Sequence, residues 1–123
     1  MMLLENFYKY EIKNHNNNEI VAEIKINNEH NIFKGHFPEQ AIVPGVSQIL
    51  IIKEILINVL GIDIQLVSSK TIKFLSVLNP NETNNLQALI SYKIENGNYK
   101  VNAKLYKQEQ NYLKFNGIYS EQK

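Results

Sequence analysis

The fold is decided by residues 33–46, FKGHFPEQAIVPGV, and by the long apolar segment that follows them as far as Leu60. Pro44 has a preset φ and no N–H group, which suits the first turn of a helix, and Gly45 allows another group to approach the backbone closely. The N–H groups at a helix start have no intrahelical acceptors. The stretch therefore predicts a helix that starts at Pro44, with free N–H groups near His36.

The predicted helix spans residues 44–60 and is apolar on nearly all sides, which is typical of a buried helix. Its polar side chains are distributed unevenly. At 100° per residue, Ser47, Glu54 and Asn58 fall within a narrow arc, whereas Gln48 points elsewhere. Gly61 is the predicted C-cap. The pattern indicates a buried helix with one polar strip along it.

Strand-like patterns surround this helix in the sequence. Residues 19–27 alternate strictly between apolar and polar, and the dipeptide Asn96-Gly97 is a strong signal for a tight hairpin. Further turns are predicted at 15–18, 79–82 and 108–111. The predicted strands are residues 7–13, 19–27, 65–77, 86–96, 98–108 and 112–120. Two strands, one buried helix and an antiparallel meander make a single α+β domain over residues 1–123, with a curved sheet wrapped around the helix.

Composition excludes several classes of function. The 123 residues carry 13 Lys, no Arg and a net charge of +1, which argues against nucleic-acid binding. The absence of Cys excludes disulfides, thiolate metal sites and a thiol nucleophile. No segment reaches the roughly 18 apolar residues of a membrane span. We expect a cytoplasmic protein that binds neither membrane nor metal and needs no cofactor.

Two short blocks also resemble a known family. Gly35-His36-Phe37-Pro38 and, after five intervening residues, Pro44-Gly45-Val46 are similar to the signature of the hot-dog-fold 3-hydroxyacyl-acyl-carrier-protein dehydratases of the FabZ and FabA type. The resemblance implies the hot-dog fold and a second subunit that extends the sheet edge to edge. It also implies that His36 is the base that removes the proton α to the thioester carbonyl. The Gly45 N–H group would then bind the thioester oxygen.

One position departs from the family pattern. The dehydratases carry a Glu or Asp six residues after the proline of Pro-Gly, and this chain has Leu50 there. Glu54 lies one turn further along, on the same side of the helix, and is the candidate replacement acid. The alternative is a structural Glu54 that is paired with Lys53 or with a sheet group at the dimer contact. The alternative role of Ser47 is that of a helix-capping residue, and Gln48 is a weaker candidate for holding a water molecule. The residues predicted to contact substrate are Phe37, Pro44, Val46, Ser47 and Leu50.

Three functions follow from the resemblance. The first is dehydration of a 3-hydroxyacyl thioester of acyl carrier protein, or of coenzyme A, to the trans-2-enoyl thioester, in fatty-acid or polyketide-like and aryl-polyene-like synthesis. Glu54 or a bound water would then replace the missing acid. The second is a hot-dog thioesterase. The third is a non-catalytic acyl-binding or partner subunit that has lost its acid. A homodimer is expected, with a hetero-oligomer as the alternative.

Overall fold

The computed structural model describes residues 6–30 and 42–122. Within them the chain forms six strands and one helix. The elements, in chain order, are β1 (Tyr8–Asn16), β2 (Glu19–Ile26), α1 (Gly45–Leu60), β3 (Ile64–Phe74), β4 (Asn85–Glu95), β5 (Asn98–Lys107) and β6 (Gln110–Glu121). The strands form one antiparallel sheet in the order β1-β2-β4-β5-β6-β3. Strands β1 and β3 are therefore its two edges.

The hairpins follow from the asparagines and the glycine at their turns. Asn17 and Asn18 have φ values of 53° and 61°, and Asn96 and Gly97 have φ values of 55° and 79°. Two consecutive residues with positive φ give the type I′ turn that matches the twist of the strands. Because only two residues are needed for the first turn, β1 runs to Asn16, three residues beyond its predicted end.

Helix α1 ends at Leu60, as predicted, but begins one residue late. Pro44 is extended, with φ −60° and ψ 148°, and occupies the N-cap position, so the prediction that it lies in the first helical turn is wrong. Gly61 is the C-cap, as predicted: its φ is 73°, and its N–H group donates to the Ile57 carbonyl over 2.8 Å. The helix is thus closed at its C-terminal end and lacks a side-chain cap at its start.

The core joins one flank of α1 to the alternating residues of the sheet. On β2, every second residue from Ile20 to Ile26 is buried, as the strict alternation predicted. The helix contributes apolar side chains that are fully buried against these strands, and they are Ile51, Ile52, Ile55 and Leu56. A curved antiparallel sheet around one helix is the hot-dog arrangement, so the predicted α+β fold class is confirmed.

Edge strand β3 is more exposed than the rest of the sheet. Its residues Leu66, Ile72 and Phe74 face the helix side, since their partners on β6 are buried, yet they remain 39–51% exposed. The strand ends at Phe74, and the predicted extension to Val77 is wrong. The reason is that the chain leaves the sheet to pair elsewhere: the Leu78 carbonyl accepts a hydrogen bond from the Val43 N–H group, 2.9 Å away.

One buried hydroxyl in the core has no hydrogen-bond partner among the described residues. Tyr119, on β6, is 1% exposed, and its Oη atom is unpaired. Burial raises the pKa of Tyr119 to about 12, because the phenolate would lose its hydration. In the unfolded chain the same hydroxyl ionises near pH 10. The folded state therefore retains this proton longer than the unfolded state.

We expect Tyr119→Phe to be at least as stable as the parent at neutral pH, because the variant removes an unpaired buried hydroxyl. Since the folded pKa lies above the unfolded one, the stability of the parent falls as pH rises from about 10 towards 12, and the variant lacks this loss. Chemical denaturation of both proteins at several pH values tests this. A difference in unfolding free energy that stays constant over that range would contradict it.

Candidate active site at the start of the helix

The structure describes most of the predicted site, but not all of it. The candidate base His36 and the substrate-contact residue Phe37 lie outside the described residues, so their roles remain predictions. The described candidates are all on α1 or at its N-cap: Pro44, Gly45, Val46, Ser47, Leu50 and Glu54.

The start of α1 presents unpaired backbone donors. The N–H groups of Gly45, Val46 and Ser47 have no acceptor within the described parts of the chain. No side chain caps this end, and its first turn carries no acidic residue. Ser47 is buried but makes no capping bond, so its alternative capping role is wrong. Free N–H groups at the positive end of the helix dipole favour an oxygen atom that gains negative charge.

Gly45 is required at this position by a close approach from β3. A Cβ atom built on Gly45 would lie 2.5 Å from Cζ of Phe74. The two residues line a cavity of about 360 Å³ between the helix start and the segment that follows β3. Its other lining residues are mainly apolar: Ile42, Val43, Gln48, Leu75, Ser76, Val77 and Leu78. The cavity therefore places the Gly45 backbone beside an apolar wall.

Gln48 supplies a polar side chain to this cavity. It is 3% exposed, and its Nε2 group donates to the Val43 carbonyl over 3.2 Å. Its Oε1 atom is buried and has no hydrogen-bond partner in the described structure. Exchanging the two amide atoms would place two acceptors together, so the bond to Val43 fixes the orientation. The cavity wall therefore contains an unsatisfied acceptor one turn after Gly45.

Glu54 is held by the opposite edge of the sheet. It is 5% exposed, and the Tyr8 hydroxyl on β1 donates to its Oε1 atom over 2.7 Å. Burial, together with this hydrogen bond and the charge of Glu54, raises the pKa of Tyr8 well above its usual range. Tyr8 therefore stays a donor to the carboxyl group. A sheet residue thus pairs with Glu54, as in the structural alternative, but it lies on β1 of the same chain.

A second tyrosine repeats the contact one turn further along the helix. Asn58 donates from Nδ2 to the Tyr10 hydroxyl over 2.6 Å, and the rings of Tyr8 and Tyr10 stack with centroids 6.1 Å apart. The polar strip of α1 thus faces alternate residues of β1. Sequence reasoning missed both tyrosines as partners, because no local signal pairs the aromatic residues of the first strand with the helix.

The structure separates the predicted acid from the predicted oxyanion donor. Gly45 and Glu54 are nine residues apart, or about 13.5 Å along a helix that rises 1.5 Å per residue. They also contact opposite edge strands, Gly45 at Phe74 of β3 and Glu54 at Tyr8 of β1. The Gly45 N–H group and the Glu54 carboxyl group therefore lie at separate places along the helix.

The remaining predicted contact residues are not part of the described cavity. Val46 is 67% exposed, Leu50 is half-buried and Pro44 precedes the helix. Of the candidates that lie within the described residues, the cavity contains Gly45 and Gln48, and it adds Phe74. Among the described residues no group of three acidic or histidine side chains is arranged to hold a metal ion. The described part of the chain also has no helix that is long and apolar enough to cross a membrane.

The sheet, the buried helix and its uncapped start are those of a hot-dog-fold protein. The chain belongs to the ApeI-like family, described as ApeI dehydratase, whose family model matches residues 12–116. The predicted membership of a dehydratase family is thereby confirmed. The more specific resemblance to dehydratases of the FabZ and FabA type remains a prediction. No curated protein matches the chain significantly in sequence.

Solved structures share this fold at low sequence identity. One is the dehydratase heterocomplex ApeI:P from Xenorhabdus doucetiae, with 21% identity, a TM-score of 0.69, and coverage of 91% of this chain and 94% of that chain. An uncharacterised protein from Erwinia carotovora subsp. atroseptica has 16% identity, a TM-score of 0.60 and coverage of 93% and 92%. A putative thioesterase from Shewanella oneidensis has 12% identity, a TM-score of 0.53 and coverage of 89% and 81%. At these identities the likeness shows the fold alone.

We expect Gly45→Ala to destabilise the protein by about 1–3 kcal/mol, because the new methyl group overlaps the Phe74 ring. Adding Phe74→Leu to Gly45→Ala removes the overlapping ring atoms and restores part of the loss, since Phe74 is itself half-exposed. Urea denaturation of the parent, both single variants and the double variant measures the coupling. Strictly additive effects would show that Phe74 is not the constraint at Gly45.

Proposed function

We propose that the protein dehydrates a 3-hydroxyacyl thioester, carried by acyl carrier protein or coenzyme A, to the trans-2-enoyl thioester. The observation that supports this most strongly is the match of residues 12–116 to a dehydratase family. The uncapped helix start agrees with it, because dehydration passes through an enolate-like state whose oxygen needs hydrogen-bond donors. The apolar cavity beside Gly45 is suited to the acyl part of such a substrate.

In this proposal His36 removes the α proton, and the Gly45 N–H group binds the thioester oxygen. Histidine suits this step because its unperturbed pKa near 6.5 allows it to accept a proton near neutral pH. The electron pair of the broken C–H bond forms the new double bond as the 3-hydroxyl leaves. The hydroxyl takes up one proton and departs as water.

The source of that proton is the open part of the mechanism. Leu50 cannot donate one, and Glu54 lies about 13.5 Å further along the helix axis than Gly45, bonded to Tyr8. We therefore assign this step to a bound water, the second of the two predicted replacements for the missing acid; it gives a proton to the leaving hydroxyl and takes up the proton that His36 removed. Direct donation by Glu54 is the competing assignment.

The test is an enoyl-thioester hydration assay, the reverse reaction, on the parent, His36→Ala and Glu54→Gln. We expect His36→Ala to lose about 100-fold or more, as for removal of a general base. We expect Glu54→Gln to retain activity within a few-fold, since a glutamine oxygen can still accept the Tyr8 hydrogen bond. A 100-fold loss in Glu54→Gln would instead make Glu54 the acid.

A thiol-release measurement in the same reaction distinguishes the other two functions. Release of thiol without hydration would identify a thioesterase, because hydrolysis frees the carrier thiol and dehydration does not. A protein that binds the acyl thioester but gives neither signal would be a non-catalytic subunit. Either result would overturn the dehydratase proposal.

We further propose that a second hot-dog subunit covers β3. One side of this edge strand has no neighbouring strand among the described residues, and a row of exposed apolar side chains continues along it and past its end. These side chains are Leu66, Val67, Ile72, Phe74, Leu75 and Val77. An unpaired edge with such a surface is suited to pairing with another strand. A second copy is the expected partner, and a related chain the alternative; the solved relative named as a heterocomplex supports considering both.

We expect Ile72→Lys to lower the molecular mass observed in solution to that of one chain, because it places a charge within this apolar surface. Ile94→Lys is the matched control, since Ile94 is also exposed but lies on β4, away from the edge. Sedimentation measurements on the parent and both variants test this. A parent that is already monomeric, or an Ile72→Lys protein that keeps the parent mass, would contradict the proposal.

A further inference from the structure

The most informative unexplained group in the described structure is the Oε1 atom of Gln48. It is buried, it is unpaired, and its residue lines the cavity beside Gly45. A buried acceptor that lacks a donor costs free energy, and native proteins rarely leave one without a reason. The Nε2 group of the same side chain is bonded to the Val43 carbonyl, so the side chain is anchored and cannot rotate to find a partner without breaking that bond.

The Val43 backbone that holds the Gln48 side chain is itself fixed by the fold. The Val43 N–H group donates to the Leu78 carbonyl over 2.9 Å, which ties the segment before α1 to the segment after β3. Val43 and Leu78 are both 1% exposed. The Gln48 amide is therefore held by a fixed backbone, and its oxygen is left buried and unpaired in a residue that lines the cavity.

The cavity combines a donor and an acceptor at a short spacing. The Gly45 N–H group is free to donate, and Gln48 lies three residues later, about 4.5 Å along the helix axis. Mainly apolar residues, including Phe74 and Leu75, form the rest of the wall. A fitting ligand has a carbonyl oxygen, a donor group a few ångströms away and an apolar remainder.

We propose that Gln48 accepts a hydrogen bond from the 3-hydroxyl group of the substrate and selects 3-hydroxyacyl chains over chains that lack this hydroxyl. This inference rests on the proposed function. The 3-hydroxyl is two carbons from the carbonyl carbon, on the acyl side that enters the apolar cavity. The nearest N–H group of a pantetheine arm lies on the other side of the thioester, towards the carrier outside.

The assignment is also consistent with the chemistry of elimination. When the hydroxyl donates its hydrogen to Gln48, the lone pairs of its oxygen remain available to receive a proton. The enoyl product has no hydroxyl and leaves Oε1 unpaired again. Gln48 therefore distinguishes substrate from product, although it transfers no proton itself.

The test measures binding of two unreactive analogues, 3-hydroxyhexanoyl and hexanoyl pantetheine in which an amide replaces the thioester. For the parent we expect the hydroxylated analogue to bind about 10–100-fold more tightly, the scale for leaving a buried acceptor unpaired. In Gln48→Met, which keeps the side-chain length, this ratio falls to near one. Using the ratio removes any general effect of the lost Val43 bond, because that effect weakens both analogues alike.

Ser76→Ala is the matched control. Ser76 lines the same cavity, but its hydroxyl already accepts a hydrogen bond from Gln110, so the ratio should stay at the parent value. A parent ratio near one, binding of neither analogue, or an unchanged ratio in Gln48→Met would each overturn the inference.

The binding test of Gln48 is independent of the hydration assay that tests the proposed function, because the analogues bind without turnover. A preserved preference for the hydroxyl together with absent hydration activity would leave the binding site standing and remove the dehydratase proposal. Hydration activity without a preference for the hydroxylated analogue would leave the dehydratase proposal standing and remove the proposed role of Gln48.

Discussion

The structure depends on covering a helix that is apolar on almost every side. Burying its large side chains against β2 and its neighbours supplies the main stabilisation, at roughly 1.5–3 kcal/mol for each fully buried aliphatic side chain. The same burial imposes a constraint, since every polar group on the covered flank needs a partner in the protein or in a ligand. Glu54 has Tyr8, and the Gln48 amide nitrogen has the Val43 carbonyl. The exception is the Gln48 oxygen, which is why it carries the inference about substrate.

The sequence predicted the elements of the fold well because their signals are local. Alternation identified β2, the Asn-Gly pair identified one hairpin, and Gly61 identified the end of the helix. The errors lie where distant contacts decide. Strand β3 stops at Phe74 because Leu78 pairs with Val43, 35 residues earlier in the chain, and no local pattern reports such a bond. Pro44 fits a first turn by its φ alone, but its ψ of 148° is extended and places it before the first helical residue.

The candidate site was predictable in part for the same reason. The helix start with its free N–H groups follows from Pro44-Gly45, a local feature. The need for glycine there is clearer in the structure, where the Phe74 ring fills the space of a side chain. Tyr8 as the partner of Glu54 was not predictable, because 46 residues separate them and only the sheet order brings β1 to that side of the helix. Gln48 was set apart from the polar strip by helix geometry, but its missing partner is visible only in three dimensions.

The placement of the two buried polar residues also explains why a neutral amide suits position 48. A carboxylate there would be drawn to the free N–H groups of Gly45 and Val46 and would occupy the place of the thioester oxygen. Gln48 offers an acceptor without charge, so it does not compete for these donors. The carboxylate that the helix does bury, Glu54, lies more than two turns away and is bonded to Tyr8 on the other edge strand. In the proposed function, the positive end of the helix dipole is thereby kept free for the charge that develops on the thioester oxygen of the substrate.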